Sequence, residues 1–313
     1  AGSWFEHLRS HFAWWKLILA RLGYDSIRWL LPREIRRGRR PVEVFTNFRQ
    51  DLQAVAKARG LNLSKVTDRT QWLKPHVYPG LPVITYNAWQ MEFPHAPAAE
   101  LAYVGPMVQR QRVEGRVTDA EYQAWEAFRT RQRDDPNRKL IYCSLGTFWS
   151  TDTSLLRRVI EVFQRRTEWD LVIGLGGKLT AKQLGCELPN VLVLDYAPQL
   201  EILEAADAAI THGGIGTINE CIWYNVPMLV VSTGHVDQDG CAARIEYHQL
   251  GVTAPVDCED VESLLARLLT EESIQANLRT MQRCFKAKET EQQHAQTVER
   301  LIGAPAPTRS AAT

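Results

Sequence analysis

From residue 139 onward, short apolar runs alternate with amphipathic stretches. Leu140–Cys143, Leu171–Ile173, Val191–Leu194, Ala208–Ile210 and Met228–Val231 show no polar alternation, the pattern of strands buried on both faces of a parallel sheet. Helical spacing fills the intervals at Ser154–Arg166, Leu200–Ala205, Gly214–Tyr224 and Gly240–Gln249, and continues at Val261–Leu269 and Glu272–Ile302. Strand, helix, strand in this order predicts an α/β domain with a doubly wound parallel sheet, whose ligand crevice lies beyond the carboxyl ends of the strands. Upstream, Asn47–Arg59 has helical spacing and stops at Gly60, strands are expected at Pro82–Tyr86 and Ala102–Val104, and a helix at Asp119–Arg133. Val104-Gly105-Pro106 opens a polar stretch that reads as an interdomain linker. The expected organisation is a partial N-terminal domain at 1–104, a linker and helix at 105–137, a Rossmann-like domain with C-terminal helices at 138–303, and a disordered tail at 304–313.

Residues 1–40 differ in kind. They hold four of the ten tryptophans and nine basic against three acidic side chains. Aromatics mixed with Arg and Lys on a helical period suit either a domain helix with its packing partner elsewhere or a surface against a membrane or an apolar acceptor. The whole chain of 313 residues is nearly neutral, with a formal charge of +1, so no global field gathers nucleic acid. Mean hydropathy of −0.28 with 23% charged residues excludes a polytopic membrane protein. No apolar run approaches the ~18 residues of a membrane span. The six cysteines lack C-x-x-C spacing, which argues against a structural zinc site and a disulfide scaffold and suits a reducing, cytoplasmic setting. The chain begins at Ala1 rather than Met, so a processed or truncated start is expected.

Three strand ends carry candidate chemistry. Ser144-Leu145-Gly146-Thr147 puts two hydroxyls around a glycine, which can approach a phosphate and reads equally as an ordinary βα turn. Thr211-His212-Gly213-Gly214-Ile215-Gly216-Thr217 leads from a strand into a helix. Its glycines let the backbone close on a ligand, and the helix start presents N–H groups with partial positive charge, so an anion belongs there. A lone histidine is usually a core residue, but the glycines around His212 favour a donor to a phosphate oxygen. Glu220, three residues beyond Thr217, lies on the same helix face, where a carboxylate can accept ribose hydroxyls or simply be solvated. Asp237-Gln238 follow the next strand and pair an acceptor with an amide, as polyhydroxyl recognition requires.

Together with Tyr196-Ala197-Pro198-Gln199 and Val226-Pro227-Met228, these runs resemble the nucleotide-sugar signature of inverting UDP-glycosyltransferases with the GT-B architecture. Asp237 to Arg244, and Glu92-Phe93-Pro94 leading to Tyr103-Val104-Gly105-Pro106, are most similar to bacterial members of the zeaxanthin glucosyltransferase and macrolide kinds. The resemblance implies that Tyr196 stacks on uracil while Ala197 and Gln199 read the base edge. It implies that His212, Thr217, Ser144 and Thr147, with Gly146, Gly213, Gly214 and Gly216, receive the diphosphate, that Glu220 holds the ribose, and that Asp237 and Gln238 hold the sugar. Glucose is the expected sugar and an apolar, carotenoid or lipid-like alcohol the expected acceptor. UDP-sugar is then a co-substrate, and no cofactor or metal is expected.

Family members have an N-terminal domain of about 200 residues, whereas about 105 residues lead to the Gly105-Pro106 linker. The expectation is therefore a glycosyltransferase lacking its first three or four βα units, inactive alone because the catalytic base belongs to that part; neither His7 nor His11 has the glycine-rich loop such a base needs. Two other classes fit the same donor motifs: a donor-binding subunit completed by another chain, and a UDP-sugar epimerase on the same fold.

Overall fold

A computed structural model describes residues 53–62, 82–96, 101–106, 108, 112, 116–133, 135, 137–146, 153–177, 179–232, 236–288 and 296–301. The aromatic and basic stretch 1–40, the first part of the expected Asn47–Arg59 helix and the tail 304–313 lie outside the described residues. The chain divides into two compact units. In the unit spanning Phe12–Leu81, residues 53–58 are helical and the turn closes at Gly60 with φ of 64°, as the glycine predicts.

The unit containing Pro82–Thr313 carries two sheets. β1 (Val83–Thr85) and β2 (Leu101–Tyr103) form a parallel pair, with Ile84 opposite Ala102. Then come α1 (Asp119–Arg133), β3 (Lys139–Ser144), α2 (Ser154–Arg165), β4 (Trp169–Gly174), α3 (Ala181–Leu184), β5 (Val191–Leu194), α4 (Gln199–Ala205), β6 (Ala208–Thr211), α5 (Ile215–Tyr224), β7 (Met228–Ser232), α6 (Val236–Tyr247), β8 (Gly251–Pro255), α7 (Val261–Thr270) and α8 (Glu272–Lys288). β3 to β8 make one all-parallel sheet in the order β5-β4-β3-β6-β7-β8. Counted from β3, that is the 3-2-1-4-5-6 order of the dinucleotide-binding fold, and its direction reverses between β3 and β6.

The strands are apolar on both faces because helices cover both. Ile141 and Cys143 of β3 pack with Leu171, Ile173 and Ile210 under Val159 and Phe163 of α2 and Leu265 of α7. Leu140 and Tyr142 point the other way, with Val172 and Val230, toward Ile218 and Ile222 of α5, Ile202 of α4 and Phe285 of α8.

Four of the described elements differ from the sequence expectation, one of them a single 3-10 turn at Trp89–Met91. β8 is an additional strand: Gly251-Val252-Thr253-Ala254-Pro255 has too few large apolar residues to be conspicuous, and its edge position lets it carry a proline. α3 is a four-residue helix held by a capping box between Thr180 and Gln183, too short for periodicity to register. α6 begins at Val236 rather than Gly240, because Asp237 and Asp239 occupy its first turn, where carboxylates favour helix starts over the glycine's cost.

Candidate functional site

The reversal of strand order brings two loops side by side. Ser144, the last residue of β3, is in register with Thr211, the last of β6, so the residues after each strand emerge into one crevice. There the His212 ring lies between two glycines. A Cβ on Gly146 would stand 2.5 Å from His212 Cε1, and one on Gly214 would stand 2.7 Å from His212 Nε2. Gly146 (φ 74°) and Gly213 (φ 90°) adopt left-handed backbone that only glycine takes at little cost. The half-buried imidazole is therefore seated by the absence of side chains on both sides.

Gly214 is the N-cap of α5, and it supplies no side-chain hydrogen bond to the first turn, which also lacks an acidic residue. The helix start thus keeps its donors and partial positive charge for something outside the helix. One turn further in, Glu220 is 5% exposed. Such a carboxylate needs compensation, and Arg112 and Gln199 provide it: Arg112 Nη1 is ion-paired to Oε1, and Gln199 Nε2 donates to Oε2. Gln199 Nε2 also lies 3.4 Å from Thr217 Oγ1, and Tyr142 Oη donates to Gln199 Oε1 at 3.1 Å. These contacts join the α4 start to the first turns of α5.

Tyr196, at the end of the chain leaving β5, rests against the backbone at Gly177, where a Cβ would meet its hydroxyl at 1.9 Å. Its backbone N–H donates to Glu121 Oε1 at 2.7 Å, while Glu121 Oε2 accepts from the N–H and hydroxyl of Thr118 and so caps α1. The Arg116 guanidinium lies 5.6 Å from the Tyr196 ring centroid. Asp237 is exposed on the first turn of α6 and Gln238 is buried behind it, with its carbonyl 3.2 Å from where a Gly213 Cβ would lie. Ser232 Oγ donates to the buried Asp239 at 2.5 Å, tying that turn to the end of β7.

Of the residues singled out by sequence, the structure brings Gly146, His212, Gly213, Gly214 and Gln238 together at the crevice, and joins Gln199, Thr217 and Glu220 in one network. Ser144 ends β3, Gly216 lies in the first turn of α5, Ala197 lies in the loop between β5 and α4, and Thr147 lies outside the described residues. Sequence reasoning missed Arg112, Arg116, Glu121, Tyr142 and Asp239. Thr118-x-x-Glu121 was readable as a capping box, and Asp239 lies inside the Asp237 to Arg244 run without having been given a role; Tyr142 reads as core and the arginines as linker.

Residues 153–298 match the glycosyltransferase family 28 C-terminal domain. The chain is 32% identical over 155 residues to demethyllactenocin mycarosyltransferase of Streptomyces fradiae, covering 49% of this chain and 33% of that protein. It is 36% identical over 137 residues to oleandomycin glycosyltransferase of Streptomyces antibioticus (44% and 31%), and 34% over 118 residues to zeaxanthin glucosyltransferase of Pantoea ananas (36% and 26%). The chain thus spans between 26% and 33% of the length of these relatives. Among solved structures, the calicheamicin glycosyltransferase CalG4 superposes with a TM-score of 0.62 at 21% identity, over 95% of this chain and 68% of that one. The glycotransferase of kitacinnamycin gives 0.53 at 24% identity, over 64% and 49%. The GT-B fold class and the resemblance to bacterial UDP-glycosyltransferases of the macrolide and zeaxanthin kinds are borne out by these matches.

Proposed function

We propose that this chain, which matches the glycosyltransferase family 28 C-terminal domain over residues 153–298, binds a UDP-sugar and supplies the donor side of sugar transfer to an alcohol. The observation that carries this reading is the His212 ring seated between Gly146 and Gly214 at the uncapped start of α5, on the point where the strand order reverses. The diphosphate lies at that start, Glu220 receives the ribose hydroxyls, Tyr196 faces the uracil, and Asp237 with Gln238 meets the sugar. The acceptor hydroxyl oxygen attacks the anomeric carbon from the opposite side, its proton passes to a base on the acceptor side, and the bond from that carbon to the diphosphate oxygen breaks. The configuration inverts, and the charge developing on UDP is met by the helix start and His212 rather than by a divalent cation.

Glucose is the proposed sugar, because Gln238 follows Asp237 as in glucose-using relatives of the resemblance. A small apolar alcohol of the carotenoid or lipid kind is the proposed acceptor, in keeping with the zeaxanthin glucosyltransferase relative and the tryptophan-rich, basic residues 1–40. The aromatic and basic composition of those residues also supports peripheral membrane contact; no helix among the described residues is long and apolar enough to cross a membrane. Six free cysteines support a cytoplasmic setting. Calorimetry of the full chain with UDP and UDP-glucose, with EDTA present, tests the proposal: saturable binding of both is expected, and no heat at millimolar ligand overturns it. Binding that appears only when magnesium replaces EDTA overturns the metal-free part.

A further inference from the structure

Two pieces of the sequence signature have no part in the donor site as built above: Glu92-Phe93-Pro94, ahead of the linker, and Arg244, near the end of α6. The structure puts them in contact across 152 residues of sequence. Arg244 Nε and Nη2 both reach Glu92 Oε2, at 3.1 and 2.5 Å. The Glu92 side chain is 10% exposed and that of Arg244 22%, so the pair is largely shielded from water. Asn87 Nδ2 donates to the other carboxylate oxygen at 3.1 Å, and Arg244 Nη1 donates to the Gly240 carbonyl at 2.9 Å within its own helix. The guanidinium also lies 5.1 Å from the Phe93 ring centroid, and Tyr247 meets Phe93 edge-on at 5.3 Å. Just past the helix, the His248 ring lies close to the backbone of Met91 and Glu92. Glu92 and Phe93 are thus held by one end of α6.

The other end of the same helix holds Asp237, Gln238 and Asp239. A 12-residue helix is a rod about 18 Å long, so its tilt is set by what grips it at each end. At the front the grip is Asp239 on Ser232 and Gln238 against Gly213. At the back it is the contact with Glu92 and Phe93. Both side-chain functions expected to meet the sugar ride on this rod, whereas the diphosphate and ribose groups sit on α5 and its loop. We propose that Glu92, Phe93 and Arg244 are positioning residues: they set the tilt of α6 and thereby aim Asp237 and Gln238 at the sugar of a nucleotide-sugar donor, without touching the nucleotide.

This inference rests on the donor reading above, and the experiment separates the two. UDP and UDP-glucose affinities are measured by calorimetry on the full chain for the wild type, Glu92→Gln, Phe93→Leu and the exchanged pair Glu92→Arg/Arg244→Glu, with thermal melting of each. In Glu92→Gln, UDP-glucose should weaken roughly tenfold, as expected when a buried pairing to a hydroxyl is lost, while UDP stays within about twofold. The exchanged pair should recover most of the loss, which assigns the effect to the ion pair rather than to either side chain alone; the separation of UDP-glucose from UDP is what a merely structural role would not produce. Phe93→Leu, which keeps the ion pair and an apolar side chain, should shift the ratio in the same direction by a smaller factor; it carries the test if the charge variants fail to fold. Wild-type binding of UDP-glucose with an unchanged ratio in folded variants overturns the positioning role alone. Equal weakening of UDP and UDP-glucose does the same, by making these residues supports of the whole site. A wild type that binds neither ligand overturns both the positioning role and the donor reading.

Discussion

Replacing Gly214 by alanine isolates the seat of the imidazole. The residue has φ of −66° and ψ of 131°, extended backbone that alanine adopts freely. The added methyl would lie 2.7 Å from His212 Nε2 and 2.8 Å from Cε1, so reaching ordinary contact at 3.4 Å moves the ring by about 0.7 Å. A hydrogen bond from nitrogen to a phosphate oxygen has a working range of only about 0.5 Å in length, and a displacement of that size forfeits it. The lost bond amounts to about 1–3 kcal/mol, or roughly a 5- to 150-fold weaker UDP complex. Stability should fall much less, by up to about 1 kcal/mol for alanine at an N-cap. Calorimetric titration with UDP beside a thermal melt reads both quantities. The sharper arm is the double variant: because the methyl acts through the ring, His212→Ala/Gly214→Ala should bind UDP no more weakly than His212→Ala alone. A folded Gly214→Ala protein with wild-type affinity, or losses that add in the double variant, would refute the placement of His212 on the diphosphate.

Glu220→Gln should weaken UDP about tenfold yet leave 2′,3′-dideoxy-UDP unchanged, since that ligand lacks the hydroxyls; an equal loss for both in a binding assay would make the residue only a partner of Arg112. Gln238→Ala should weaken UDP-glucose relative to UDP by about 1–3 kcal/mol and narrow the preference for glucose over galactose donors, as measured by competition. Burial pushes the Cys143 thiol up to about 12 and the Cys221 thiol well above its ordinary 9, so iodoacetamide at pH 8 should label neither until denaturant is added; native labelling of Cys143, read by peptide mass, would contradict the buried β3. Burial lowers His248 below its ordinary 6.5, Arg244 adds to this, and the nearby backbone of Met91 and Glu92 and the Glu92 charge oppose it. The folded protein therefore holds it neutral: its contribution is fully present above pH 6.5 and is lost as pH falls from there toward the lowered folded value. Urea titrations across that interval should show a drop in stability that His248→Gln diminishes; identical profiles would count against it.

Most of the sheet could be read in the sequence because strands buried on both faces need unbroken apolar runs, and five of the six in the large sheet have them. The exception, β8, lies at the edge and survives with Thr253, Ala254 and Pro255. The glycine loop around His212 was legible for the same local reason, since left-handed backbone and a close approach both demand glycine. What could not be read is which distant residues complete each site. Arg112 lies 108 residues from Glu220 and Glu92 lies 152 from Arg244. Arginines in a polar linker and a glutamate before a proline look solvated until the fold brings a buried charge against them.

The Arg112–Glu220 pair also constrains how a ribose can be held. Hydroxyls are neutral donors, so two of them can hydrogen-bond a carboxylate but cannot offset its charge. For a group with 5% exposure that charge must be offset at all times. If Glu220 receives the ribose as proposed, Arg112 is expected to stay paired with it in the occupied site. The partner that can give way is neutral: Gln199, whose amide is also engaged by Tyr142 Oη and Thr217 Oγ1 and so keeps hydrogen bonds after releasing the carboxylate. The N–H that Gln199 would release keeps Thr217 Oγ1 as its acceptor while Tyr142 Oη goes on donating to Gln199 Oε1, so at the proposed ribose site the carboxylate can change partners without leaving the half-buried amide unsatisfied.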